Sequence, residues 1–438
     1  MTSIAVVVVW DAEPSGLERY LHGCAWQLTP ADGLYVVAAP LPDPGALQVR
    51  PFGSLAACAE AIQEKLVVVL NSRAVLAPYV LDQLRQETTE YAVALGPRRW
   101  VSAPHCGCTW SGRGLSHPIG PVVVSPSQCV FRADVFRSMV AELALSRWEA
   151  ELFTKLQDAS YETILLPYPV AWLNLGELHP PRARVGVVIP VFHEPLEFTR
   201  RAVASCYQQL RAGEEIIIVP GEGVTADLSF IEEYRLEGVR VVPDPAGAKV
   251  GSCRNKGVAA LHAPWVKFLD ADDVLAPWAL HALCFPYPAQ VQVVHGGQVF
   301  VIDGGYAGVR SSLAHRPEGM IFANPLIPSC TLVRRDAVLA LGGFDSRLGF
   351  EEDYDLWLRL ADRFGLEAFQ PHPQVFDFYW MNTARRKIAW EQRDYLVEGQ
   401  PVRDYFNAKY GIACVFEEDL PRAGGNREAK WDVPEILA

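Results

Sequence analysis

The chain has 438 residues, 50% of them hydrophobic and 21% charged, with 33 Gly and 33 Pro. A half-apolar chain of this length fills more than one core, which excludes a disordered, collagenous or small disulfide-stapled protein and suggests two or three domains. Against 51 Asp and Glu stand 39 Lys and Arg, a net charge of −12, which argues against broad nucleic-acid or anionic-membrane binding because those polyanions select for clustered basic residues.

The first apolar run, Ile4 to Trp10, is far short of the roughly 20 residues that span a bilayer, and no basic segment precedes it as in a signal peptide. The sequence therefore reads as soluble and cytoplasmic. Its ten cysteines are scattered without a CxxC and read as reduced, mostly buried thiols. Cys106 and Cys108 beside His105 form the one local cluster, short of the three or four ligands that zinc needs.

In chain order, AVVVV (5–9), KLVVVL (65–70), VGVVIP (185–190), EIIIV (215–219) and WVKFL (265–269) predict strands covered on both faces, alternating with helix-like stretches: an α/β architecture with mostly parallel sheets. The sequence also repeats itself. AVVVVWDAEP (5–14) pairs with GVVIPVFHEP (186–195), PFGSLAACAEA (51–61) with KVGSCRNKGVA (249–259), and KLVVVLNSRAVLAPYVLDQL (65–84) with PWVKFLDADDVLAPWALHAL (264–283). PSQCVFRAD (126–134) then pairs with PSCTLVRRD (328–336), ELFTKL (151–156) with DLWLRL (355–360), and PYP (167–169) with PHP (371–373). The offset grows only from 181 (Pro14 to Pro195) through 199 (Pro78 to Pro277) to 204 (Pro167 to Pro371), as a few loop insertions would produce. Convergent periodicity explains matched apolar residues but not matched prolines. Two tandem domains of one fold are expected, 1–178 and 184–386, joined near LHPPRAR (178–184), where paired prolines forbid helix. Residues 387–438 are expected to hold terminal helices to Tyr410 and a frayed tail from Arg422.

In the second copy, Asp270-Ala271-Asp272-Asp273 follows a buried-type strand, with Pro277 opening a helix after a short loop. Carboxylates at the carboxyl end of a strand lie where open α/β sheets bind ligands, and hard oxygen donors at this spacing suit Mg2+ or Mn2+ held together with a substrate diphosphate. The competing reading is a solvated acidic loop capping the next helix.

The surrounding residues resemble the family 2 glycosyltransferases of the GT-A nucleotide-binding fold, over roughly residues 184–380. VVIPVFHE (187–194) looks like the opening strand and first nucleotide-contacting loop, and GSCRNKGVAAL (251–261) like the helix whose Arg-Asn pair faces the donor. FLDADD (268–273) is similar to the DxD element, and LVRRDAVLALGGFDSRLGFEEDYDLWLRL (332–360) to the acceptor-side segment ending in Glu-Asp. The resemblance implies an inverting, metal-dependent transfer of a sugar from a nucleotide-diphospho-sugar to a hydroxyl on a glycan, lipid-linked sugar or protein. Asp272 would hold Mn2+ or Mg2+ as a Lewis acid for the leaving diphosphate, with Asp270 contacting the ribose or sharing the metal through water. Asp353 is the candidate base, and Glu352 would hold an acceptor hydroxyl or raise the pKa of Asp353 by like-charge proximity. Arg254 would pair with a diphosphate oxygen, beside Asn255. Pro190, Phe192 and Glu194 would line base and ribose. The bland alternatives are a charged first helical turn for Glu351 to Asp355, a surface arginine for Arg254 and a helix start for Glu194-Pro195.

The chain departs from the family in two places. Val219-Pro220-Gly221-Glu222 stands where an Asp pair usually reads the base, and DFYWMNTARR (377–386) lacks the usual late histidine, leaving Asn382, Arg385 or Arg386 to fill the space. In the first copy, Asn71, Arg73 and Ala74 replace Asp270, Asp272 and Asp273, while Ala56 and Ala57 replace Arg254 and Asn255. Glu149 stands near the position of Asp353, with Trp148 replacing Glu352. A metal-free, degenerate first copy is expected, as buried scaffold, acceptor binder or partner site. The alternative for the whole chain is an inactive carbohydrate- or nucleotide-binding scaffold. A sugar nucleotidyltransferase is disfavoured because no Gly-rich, arginine-containing loop follows either first strand. Peripheral membrane association through a lipid-linked acceptor stays open, although no basic amphipathic helix advertises it.

Overall fold

The computed structural model describes residues 2–10, 16–38, 47–72, 74–86, 93–95, 100–101, 129–141, 143, 147–149, 151–152, 155, 163–165, 171–174, 184–192, 194–211, 213–221, 224, 228–233, 236–244, 249–277, 279–282, 287–302, 305–310, 324, 326–349, 351–381 and 395–410. The chain divides into two compact units, residues 1–178 with 232–235, and 179–231 with 236–438.

In the first unit, β1 (Ile4–Val9), β2 (Gly33–Val37), β3 (Val49–Phe52), β4 (Leu66–Asn71), β6 (Val93–Leu95), β8 (Cys129–Arg132) and β9 (Thr163–Leu165) form one sheet in the order β3-β2-β1-β4-β8-β6-β9. The short strands β5 (Ala74–Leu76), β7 (Trp100–Val101) and β10 (Ala171–Asn174) form a second. Every residue of β1 is buried, as a hydrophobic strand covered on both faces must be. Helices α1 (Leu17–Ala25), α2 (Leu55–Ala61), α3 (Val80–Gln86) and α4 (Ala133–Val140) connect the strands. The core joins Val7, Val67 and Phe131 of the sheet to Cys58 of α2 and Phe136 of α4.

In the second unit the strands are β11 (Val185–Val191), β12 (Glu215–Pro220), β13 (Val239–Val241), β14 (Trp265–Phe268), β15 (Val274–Leu275), β16 (Val293–Ile302), β17 (Gly305–Arg310), β18 (Thr331–Arg334) and β19 (Phe369–Met381). They run in the order β13-β12-β11-β14-β18-β16-β19-β15, with β17 hairpinned on β16. The helices are α5 (Leu196–Tyr207), α6 (Phe230–Glu233, whose residues 232–233 fall with the first unit), α7 (Val250–Ala260), α8 (Ala279–Ala282), α9 (Arg335–Ala340), α10 (Glu352–Phe364) and α11 (Tyr395–Tyr410). From β13 to β19 the succession of parallel and antiparallel pairs is the one seen from β3 to β9.

One expectation needs correction. The sheet is parallel across β13, β12, β11 and β14, but β18 enters antiparallel to both β14 and β16, so it is mixed. The acidic loop carries the short strand β15, where Val274-Leu275 pairs antiparallel with Phe378 and Asp377, and the expected helix after Pro277 is α8. The Cys106/Cys108/His105 cluster and the tail from Arg422 lie outside the described residues. Among the described residues no helix is long and apolar enough to cross a membrane.

Close backbone approach sets the site's frame. A Cβ on Gly257 of α7 would lie 2.3 Å from Val188 Cγ1 of central strand β11, where Val188 is fully buried. Gly257→Ala should therefore lower stability by about 1–3 kcal/mol through overpacking, outweighing the alanine's better helix propensity. The check is a reduced urea midpoint with unchanged slope.

Candidate active site

The acidic loop leaves β14 beside the end of β11, where Leu269 N–H donates to Val188 O at 3.1 Å. It closes as a turn, Asp273 N–H donating to Asp270 O at 3.0 Å, and is fixed from two sides. Asp270 N–H points to Ser329 Oγ at 3.4 Å, and Trp380 N–H of β19 donates to Asp273 Oδ1 at 3.1 Å. Asp270 and Asp272 are half-buried while Asp273 is fully buried. Burial and the neighbouring Asp272, Asp377 and Asp270 push the Asp273 carboxyl well above the usual carboxylate range. Asp273 is thus an anchor of the loop, and Asp270 and Asp272 are its partly exposed carboxylates.

Under the loop lies Lys267, wholly buried on β14, donating to Ser329 O. The negative charge that acts on it most strongly is the buried Asp377 of β19, which accepts from Gln298 Nε2 at 2.7 Å and from Cys330 Sγ at 3.2 Å. Burial lowers the pKa of Lys267 and raises that of Asp377. Motif reading gave no signal for either residue, since both sit inside apolar runs.

Arg254 projects from α7 between the two acidic segments. Its Nη2 donates to Asp270 Oδ1 at 2.7 Å and its Nη1 to Glu352 Oε1 at 2.5 Å. Its side chain is 4% exposed and that of Glu352 6%. Two carboxylates thus occupy the guanidinium fork of Arg254, the residue expected to pair with a diphosphate oxygen. Asn255, expected beside it on the donor side, spends its amide on the backbone. Its Nδ2 donates to Phe344 O at 2.8 Å and its Oδ1 accepts from Phe344 N–H at 2.7 Å, so the side chain braces the Gly343-Phe344 turn. Gly343 sits at φ +77°, and a Cβ there would lie 2.1 Å from Asn255 Oδ1, so only glycine admits this brace.

Helix α10 starts without a side-chain cap, after Glu351 in the left-handed region at φ 59°. Glu352, Asp353 and Asp355 fill its first turn, as the macrodipole favours, and Leu356, Trp357 and Leu360 bury its inner face. Asp353 is half-buried. Burial first, then Glu352 and Glu351, hold its carboxyl well above the usual range, against the opposing Arg254 and Asn324. Asn324 was invisible to motif reading: its Nδ2 lies 3.1 Å from Asp353 Oδ2 and 3.3 Å from Glu351 Oε2. From the far side, α11 clamps the helix. Fully buried Asp355 accepts from Lys409 Nζ at 2.6 Å, Tyr410 Oη at 2.6 Å, Tyr405 Oη at 2.8 Å and Arg359 Nε at 2.7 Å, and Phe406 stacks on Tyr354 at 4.9 Å.

Pro190 is buried in β11 opposite Val219, just past the end of the pairing with β14, where its missing N–H is not required. Phe192 is half-buried and packs against the core. Glu194 accepts from Phe192 N–H at 2.8 Å, so its carboxylate braces the loop. Glu222, Asn382, Arg385, Arg386 and Arg73 lie outside the described residues. In the first unit, Asn71 Nδ2 donates to Glu149 Oε1 at 2.6 Å, and Ala56 and Ala57 lie in α2.

Among the described residues no three His, Cys, Asp or Glu side chains form a cage for a metal. Mg2+ and Mn2+ need none, taking one or two carboxylates and completing their shell with diphosphate oxygens and water. Half-buried Asp270 and Asp272 supply oxygen donors of that kind, and the neighbouring Asp273 Oδ2 is buried with no hydrogen-bond partner. The residues present fit a hard divalent cation. Because Arg254 is the buried countercharge of Glu352, Arg254→Ala should destabilise the second unit by about 3–5 kcal/mol, and Arg254→Met with Glu352→Leu should recover most of that loss. Denaturant titration of the three proteins checks both.

Residues 186–342 match the family model described as Glycosyl transferase family 2. The O-antigen biosynthesis protein RfbC of Myxococcus xanthus is 25% identical over 189 residues, covering 41% of this chain and 15% of the relative. An uncharacterized glycosyltransferase of Haemophilus influenzae is 26% identical over 177 residues, covering 38% and 64%. The match thus spans less than two thirds of either relative. Among solved structures, S. aureus TarS is 16% identical, with 52% of this chain and 72% of that one covered at a TM-score of 0.37. The matched segment includes Arg254, Asn255, Asp270 and Asp272 and ends before Glu352 and Asp353. The second unit therefore carries, over residues 186–342, the sequence pattern of the family 2 glycosyl transferases.

Proposed function

We propose that the chain is an inverting glycosyltransferase that moves a sugar from a nucleotide-diphospho-sugar to an acceptor hydroxyl, with Mn2+ or Mg2+ at Asp272 and Asp270. The observation that carries this reading is the meeting of two acidic segments on one guanidinium: Asp270 of the β14 loop and Glu352 of α10 both accept from Arg254. Donor-side and acceptor-side carboxylates thereby share one site at the carboxyl ends of β11 and β14, where open α/β sheets bind ligands.

A divalent ion at Asp270 and Asp272 would supply Lewis-acid stabilisation of the departing diphosphate. Asp353 takes the proton of the attacking hydroxyl. Its raised pKa suits a base that must hold a proton through the displacement. A single base, with no second carboxylate assigned as nucleophile, suits one displacement and hence inversion. Glu352, held by Arg254, stands beside Asp353 and contributes to that raised pKa.

The first unit is proposed to be a degenerate, metal-free copy of the same GT-A fold. The shared strand succession supports this, as does register: Ala5 faces Val67 as Gly186 faces Val266, and Val67 faces Phe131 as Val266 faces Val333. These are the pairings that the sequence repeat demands. Where the second unit has Asp270, the first has Asn71 bonded to Glu149, an arrangement with less negative charge to offer a cation.

Thermal shifts with UDP-, GDP- and dTDP-sugars, with and without Mn2+, test the donor half. One nucleotide class should stabilise the wild type only with metal, by mass action, and Asp272→Asn should abolish the effect. No shift with any donor would favour the non-catalytic scaffold instead. Asp353→Asn should lower kcat by roughly 10²–10⁴-fold with donor binding kept. The acid limb of the wild-type kcat/KM profile should lie above the ordinary aspartate value of about 3.9, since activity needs the deprotonated base and its pKa is raised.

A further inference from the structure

We infer that Asn324 is a positioning residue that aims the Asp353 carboxylate and holds it ready to accept a proton. The inference rests on the proposed role of Asp353 as base. Asn324 lies in the segment entering the 3-10 turn Pro328–Cys330, 29 residues before Asp353 in the chain.

Its orientation is fixed rather than free to flip. Leu326 N–H donates to Asn324 Oδ1 at 3.3 Å, which leaves the amide nitrogen, with two protons, to face the carboxylates. Both protons find acceptors, Asp353 Oδ2 at 3.1 Å and Glu351 Oε2 at 3.3 Å. The anchor belongs to the core: Leu326 is 3% exposed, and its carbonyl accepts from Trp357 Nε1 of α10 at 3.2 Å. Asn324 is therefore tied to the same helix whose first turn it serves.

On the other side, Asp353 Oδ1 accepts from Tyr354 N–H at 2.9 Å. Each carboxylate oxygen is thus held once, which fixes the plane of the group and leaves further lone pairs for an acceptor hydroxyl. Glu351, the second acceptor, is one of two non-glycine residues at positive φ among the described residues. A strained backbone persists where its surroundings over-determine it, and such residues cluster at functional sites. The Asn324 bond to the Glu351 side chain is one such constraint. The groups facing Asp353 are Glu351 and Glu352 from its own segment, Arg254 from α7 and Asn324. The two glutamates oppose ionisation of Asp353, and Arg254 and Asn324 favour it. Arg254 is already shared between Asp270 and Glu352, so Asn324 is the side chain that donates to an Asp353 oxygen, beside the backbone N–H of Tyr354.

The test compares wild type, Asn324→Ala and the isosteric Asn324→Asp in the full chain. The Asp353 carboxyl is titrated by 13C NMR on aspartate-labelled protein, its resonance assigned by its loss in Asp353→Asn. Nucleoside diphosphate release from UDP-N-acetylglucosamine and GDP-mannose with Mn2+ is followed against pH in parallel. Asn324→Ala should move the Asp353 titration up by roughly one pH unit, the size of a hydrogen bond to a charged group. Asn324→Asp, which adds a like charge, should move it further. The acid limb of kcat should move with it, recovering toward wild type at high pH with KM unchanged. Superimposable titrations in folded variants, or a loss of kcat equal at every pH, would overturn the inference. A wild type that turns over neither donor while the Asp353 titration still moves would sink the transfer reading and leave Asn324 as the residue that sets the ionisation of Asp353.

Discussion

Everything at this site turns on a guanidinium that has left water. Arg254 is 3% exposed and Glu352 5%, and taking two such ions out of solvent costs several kcal/mol each unless geometry and hydrogen bonds offset it. The offset comes from Asp270 and Glu352 at 2.7 and 2.5 Å, which also keeps the arginine firmly protonated. One buried cation thereby fixes the distance between a loop after β14 and the start of α10, segments that belong to opposite halves of the proposed reaction. Asn255, the next residue on α7, pins the Gly343-Phe344 turn. A single helical turn thus sets the geometry of three loops.

Two further buried networks hold the supports. Behind the acidic loop, buried Lys267 donates to Ser329 O, and buried Asp377 accepts from Gln298 and Cys330. Behind α10, Asp355 collects donors from Tyr405, Lys409 and Tyr410 of α11 and from Arg359. In each, a carboxylate with no solvent exposure stands close to residues assigned to chemistry. Buried hydrogen-bonded networks of this kind hold in place what they touch. Helix α11 therefore helps to hold α10 in the second unit, although it lies well beyond the residues that match the family model.

The strands were legible because their signal is local. Continuous Val and Ile runs with few polar residues can be buried on both faces only within a sheet, and β1, β4, β11, β12 and β14 lie where those runs predict. The acidic motifs were legible for a related reason. Asp270, Asp272, Glu352 and Asp353 stand beside punctuating glycines and strand ends that announce loops and helix starts. The mixed sense of the sheet was not legible, since β18 is as apolar as a parallel strand and its direction is set by the path of the chain before it.

The sequence by itself determined where the strands lie, which segments carry carboxylates, and that the two halves share a pattern, because each of these is written in residues close together in the chain. The tertiary structure decided what those residues do to one another. Arg254 meets Glu352 across 98 residues, Lys267 meets Ser329 across 62, and Asn324 meets Asp353 across 29. No periodicity or spacing encodes such partners. Packing chooses them, because a buried charge or amide must find whatever complementary group the folded backbone brings within hydrogen-bond reach.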